Sequence, residues 1–184
     1  PKGYMNRAWT ALPTPFLDQF SRDITRMASV GGVATASVRT TEIDRVLQVL
    51  GRTEKNNVLL VGEPGVGKNT ILEAIALRMI EEDVPEILKD KRLLSIDIGS
   101  LLSSGPSAEE NMQRALQEIG TAGNVILAIP EIQSLVGTTG GALDAATLLS
   151  QALSRGYVQI ISTSTYQDYH RYVESNPTLS SLLD

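Results

Sequence analysis

Leu17, Phe20, Ile24 and Met27 recur three and four residues apart with polar residues between them, the period of one face of a helix. Thr14-Pro15 ahead of them has the form of an N-cap followed by proline in the first turn, and Gly31-Gly32 closes the segment. A second face, Ile43, Val46, Leu47 and Leu50, ends at Gly51. From Val58 the pattern changes. Short apolar runs at 58–61, 93–98, 125–129 and 158–161 alternate with helical periods over about 69–81, 109–121, 143–154 and 166–175. Ser107 and Glu110 have capping-box spacing ahead of the face Met112, Leu116 and Ile119. Strands separated by helices predict an α/β fold, a mainly parallel sheet with helices on both faces. Pro1 to Leu12 has no clear period and reads as a tail or linker.

The run Val58 to Val61 leads into Gly62-Glu63-Pro64-Gly65-Val66-Gly67-Lys68-Asn69-Thr70, and Ile71, Leu72, Ile75 and Met79 then form the core face of a helix. Strand, glycine-rich turn and helix is the context a phosphate-binding loop requires. Glycines at 62, 65 and 67 let successive backbone N–H groups approach phosphate oxygens, and the helix N-terminus adds partial positive charge. Lys68 supplies the full charge for the β- and γ-phosphates. The loop departs from its usual form at Asn69, where a Ser or Thr hydroxyl normally meets Mg²⁺. Thr70 is no direct substitute, because one residue along a helix turns the side chain by about 100°.

The apolar run Val125 to Ile129 ends in Pro130-Glu131. An acidic pair at this place normally provides one carboxylate for Mg²⁺ and a second that orients the attacking water. Glu131 stands at the second position, at the carboxyl end of a strand where open α/β sheets bind ligands. Pro130 stands at the first and carries no carboxylate. Both customary metal contacts are therefore altered, which argues for ATP or ADP binding with Mg²⁺ in doubt and with weak or absent hydrolysis.

Composition narrows the alternatives. The 184 residues suffice for one domain with a substantial core. With 16 basic and 21 acidic residues the formal charge is −5 and there is no long basic run, so no nucleic-acid partner is expected. The absence of cysteine excludes disulfides and thiolate-bound metal, and the single histidine, His170, makes a histidine metal cluster or a Ser–His triad hard to build. No apolar run reaches the roughly 18–20 residues that span a membrane, and the first residues lack a signal-peptide layout. The expectation is a soluble cytoplasmic protein. The tyrosines at 166, 169 and 172 read as one face of a helix, His170 between them as a surface residue, and Asp83, Glu86, Asp90, Lys89, Lys91 and Arg92 as a solvated surface.

Several stretches carry a family resemblance: LDQFSRDIT at 17–25, EIDRVLQVL at 42–50, NVLLVGEPGVGK at 57–68, DVPEILKDKRLL at 83–94, GNVIL at 123–127, EIQSLVG at 131–137 and RYVE at 171–174. Together they resemble the first AAA+ module of Clp-type unfoldases and disaggregases, over about residues 14–180. The resemblance implies a three-layer αβα P-loop NTPase core and a ring, usually a hexamer, that threads polypeptide with ATP. It further implies a tail over 1–13 and a large subdomain over 14–184, ending before the family's fifth core strand and helical lid. Carried over by position, the polar sensor residue falls on Thr165 and the adenine-side segment on Ala36, Ser37, Val38 and Arg39. The aromatic pore loop falls on Pro106, Ser107, Ala108 and Glu109, with no aromatic residue, and the trans arginine pair on about Ser181 and Leu182. An arginine finger is worth about 10³–10⁵ in rate.

Three readings follow. One is a degenerate AAA+ domain that binds nucleotide within a Clp-like assembly and hydrolyses little. Another is an active ATPase driving protein unfolding, whose metal shell is rebuilt from Asn69, water and Glu131. The last is a nucleotide-free scaffold, against which Lys68 and the loop glycines argue.

Overall fold

A computed structural model describes residues 13–31, 40–53, 55–62, 68–103, 108–132, 142–156 and 158–173. Five strands form one sheet in the order β1 (Ser21–Asp23), β3 (Arg92–Ile96), β4 (Val125–Ile129), β5 (Gln159–Ser164), β2 (Val58–Val61). All neighbours are parallel except β1, which runs antiparallel to β3 with Ser21 opposite Ile96.

The sheet is buried between helices on both faces. Side chains alternate across a strand, so adjacent residues enter different cores. Leu94, Leu127, Ile129 and Ile160 pack toward α1 (Pro15–Asp18), α5 (Ile98–Ser103), α6 (Ala108–Ala122) and α7 (Ala142–Ser154). Leu93, Ile126, Ala128 and Ile161 pack toward α2 (Ile24–Ser29), α3 (Thr40–Leu50) and α4 (Lys68–Ile80). This is the α/β class that the alternating pattern predicts. Every residue of β4 is buried, which is why it reads as an unbroken apolar run rather than as an alternation. Among the described residues no helix is long and apolar enough to cross a membrane.

Four details differ from the sequence reading. The single helix expected from Thr14 to Val30 is two short helices with an edge strand between them. Asp23 ends that strand and caps α2, its side chain accepting the Arg26 N–H at 2.9 Å. Second, the strand expected over 93–98 gives way at Asp97, which caps α5. Its carboxylate accepts the Ser100 N–H at 3.2 Å and hydroxyl at 2.8 Å, bonds that hold it below the usual carboxylate range. Third, β5 continues three residues past its apolar run. Ser162, Thr163 and Ser164 are buried because their hydroxyls are satisfied, Ser162 donating to the Val58 carbonyl at 3.1 Å. Fourth, the charged stretch before β3 is not all solvated. Arg92 lies over Thr14 and Asp23, at 3.4 and 3.9 Å, and Lys91 is half-buried.

Ser107 lies outside the described residues, as do Pro106, Val38, Arg39, Ser181 and Leu182. A short helix α8 (Tyr166–Asp168) continues as a π turn (Tyr169–Val173), in which His170 is exposed and Tyr169 packs against the core beside α7.

Candidate functional site

Gly62, Glu131 and Thr165 all attach to the carboxyl end of β5. Register places Val61 beside Ser164, and the Gly62 N–H extends the ladder by one bond to the Ser164 carbonyl at 3.1 Å. Gly62 is buried at this junction, so the chain leaves the sheet from a fixed point. Glu63, Pro64, Gly65, Val66 and Gly67 lie outside the described residues. Lys68, Asn69 and Thr70 form the first turn of α4, whose inner face is anchored by Leu72, Ile75, Ala76 and Met79. The aligned peptides of a helix this long carry about half a positive charge at that turn. Ala36 and Ser37 also lie outside the described residues.

Thr165 directly follows β5 and caps α8. Its hydroxyl accepts the Asp168 N–H at 3.1 Å and its carbonyl the Tyr169 N–H at 2.8 Å. The Ser164 hydroxyl also donates to the Thr165 carbonyl, at 3.1 Å.

Glu131 follows β4 by two residues and sits at φ 58°, in the left-handed region that L-residues other than glycine seldom adopt. Its N–H donates to the Thr163 hydroxyl oxygen at 3.0 Å, tying the end of β4 to β5. Thr163 is the residue that sequence reasoning missed. It lies two positions past the apolar run 158–161, and only the fold brings it to the Glu131 N–H. The consequence is local: Glu131 and Pro130 line a cavity of about 580 Å³ together with Ser95, Asp97 and Ser100 from β3 and α5. Gly62 and Thr70 do not border that cavity.

The residues do not fit a Mg²⁺ shell of the usual kind. Pro130 offers no oxygen from its side chain, and the next carboxylate borders the cavity on the β3 side rather than the loop side. The left-handed backbone at Glu131 costs about 1 kcal/mol. Glu131→Gly is therefore expected to raise unfolding stability by about 1 kcal/mol in urea titration. A loss of stability instead would show that the exposed carboxylate makes contacts outweighing the strain.

Residues 58–168 match the family model described as ATPase family associated with various cellular activities (AAA). The chain is 44% identical over 171 residues to an ATP-dependent Clp protease ATP-binding subunit ClpA homolog from Pyropia yezoensis, covering 90% of this chain and 21% of that protein. It is 40% identical over 171 residues to the chaperone protein ClpB of Oceanobacillus iheyensis, again with 90% and 21% covered. Among solved structures, the Hsp104–ADP complex of S. cerevisiae superposes with a TM-score of 0.82 at 34% identity, covering 91% of this chain and 24% of that one. The chain thus spans about a fifth of the length of these curated relatives.

Proposed function

Because the chain belongs to the ATPase family associated with various cellular activities, in its Clp-type branch, we propose that it is a nucleotide-binding module that holds ATP or ADP and hydrolyses it slowly or not at all. The binding half rests on the unit β2–loop–α4. Gly62 and Pro64 shape the turn, Glu63, Gly65, Val66 and Gly67 supply backbone donors, Lys68 the charge, and Asn69 and Thr70 the first turn of the helix. Ala36 and Ser37 take the adenine side, and Thr165 the polar sensor position. The relatives' names carry ATP binding, and the solved neighbour carries ADP.

The observation that carries the second half is the pairing of Pro130 with a left-handed Glu131. One offers no metal-side carboxylate, and the other stands in the wall of the cavity beside β3. In the full protein this module serves a Clp-like, cytoplasmic protein-remodelling assembly as a structural or regulatory member, with other such subunits in a ring and protein as the handled substrate.

Calorimetric titration of ATP and ADP, with and without Mg²⁺, tests the reading. Binding is expected for both nucleotides, with dissociation constants that change less than about threefold on adding Mg²⁺. Tightening by about tenfold or more, worth about 1.4 kcal/mol, would instead establish a rebuilt metal site and an active ATPase. Absence of binding would leave a scaffold. In the variant Asn69→Thr/Pro130→Asp, which restores both customary ligand types, the Mg²⁺ effect on ATP affinity is expected to reach about tenfold.

A further inference from the structure

A second cavity, of about 590 Å³, opens at the opposite end of the sheet, where β4 and β5 begin. Its volume is within the usual range of about 300–1,000 Å³ for small-ligand pockets. The ionisable residues among its described walls are Lys55, Lys91 and Arg155. Ile119, Leu153 and Val158 form an apolar floor.

Cations here have one ordinary explanation. In a parallel α/β layer the helices end where the strands begin, and α3, α6 and α7 all finish at this end of the sheet. Each helix C-terminus carries about half a negative charge, so together they amount to about 1.5. Three full positive charges exceed that by about 1.5, more than the single charge of a carboxylate.

The walls are also organised rather than incidental. Gln159 is buried, and its amide donates to the carbonyls of Leu50 and Asn56 at 2.8 and 3.0 Å. That fixes its oxygen to face Lys91, whose ammonium donates to it at 3.3 Å. Burial pushes the Lys91 pKa down, so its charge is poorly solvated by water. Lys55 sits at φ 47°, a left-handed conformation that a lysine adopts at a cost and that turns the rim of the cavity at this point.

We propose that this cavity binds a carboxylate carried on an apolar body, with Lys91 and Arg155 pairing the anion and Ile119, Leu153 and Val158 covering the chain. That chemistry is shared by a free aliphatic acid and by a peptide C-terminus ending in an apolar residue. The site is separate from the phosphate loop, which lies at the other end of the strands.

The test is an NMR titration of the full 184-residue chain. Hexanoate and N-acetyl-alanyl-leucine are the anionic probes; hexanol and the peptide amide are their neutral counterparts. Saturable shifts are expected at the amides of Gly123, Gly156 and Val158 with the anions. The tighter anion identifies the source, free acid or peptide terminus. Lys91→Gln is expected to weaken binding about tenfold. Arg155→Gln, at an exposed position past the end of α7, preserves the fold and is expected to weaken it about threefold. Equal shifts with the neutral probes, or wild-type affinity in Arg155→Gln together with any folded Lys91→Gln, would overturn the proposal.

Discussion

Lys68→Ala is expected to weaken ATP and ADP binding by about a hundredfold or more, beyond detection in a standard calorimetric titration. Several backbone N–H groups can still approach a polyphosphate in this variant, and the first turn of α4 keeps its partial charge. Neither supplies a full cation. Charge-assisted hydrogen bonds are worth about 1.5–3 kcal/mol each, and a lysine at this position meets more than one phosphate oxygen. The core face of α4 is made by Leu72, Ile75, Ala76 and Met79, so circular dichroism and urea unfolding of the variant should match the parent. Retained affinity within about fivefold would move the nucleotide away from this loop and sink the binding half of the proposal.

The second large effect concerns the attachment of the first helix. Glu118→Ala is expected to cost about 3 kcal/mol of unfolding stability. Glu118 projects from α6 across the N-terminus of α1 and accepts the N–H groups of Phe16 and Leu17 at 2.9 and 2.7 Å. Thr14 gives α1 no side-chain cap of its own, because its hydroxyl is turned to Asp18 at 2.9 Å. The carboxylate from a distant helix therefore does what a local cap usually does. Removing it leaves two backbone donors against the core, beside a fully buried Leu17 and a Phe16 ring that lies 4.3 Å beneath the Arg114 guanidinium. Urea unfolding measures the loss, and Glu118→Gln, whose amide oxygen still accepts, should recover about half of it. A cost under about 0.5 kcal/mol would mean that water caps α1 equally well.

What was legible in the sequence follows the physics of each element. The strands 58–61 and 125–129 match in full, because each is an unbroken apolar run; 125–129 is buried throughout, while 58–61 is half-buried at the sheet edge. The helices α4, α6 and α7 carry apolar residues at helical spacing, and the predicted spans match within a residue. The short edge strand β1 was hidden because Leu17, Phe20 and Ile24 fall at helical spacing by coincidence of two elements meeting. Its pairing with β3 depends on partners some seventy residues away, which no local pattern contains. For the site, glycine spacing and Lys68 carry the proposed loop, and Pro130 the proposed change at the metal position. The left-handed turn at Glu131 and its bond to Thr163 come from tertiary packing and had no signal in the chain.

That β5 receives Gly62 on one side and Glu131 on the other has an evolutionary consequence. On the proposed function, the nucleotide loop and the acidic turn share a mount but not a lever: Gly62 is fastened through Ser164, and Glu131 through Thr163. Damage at the acidic turn therefore need not loosen the loop. A lineage can shed the power stroke and keep the ligand grip, turning a motor into a nucleotide-occupied spacer by substitutions confined to one strand end.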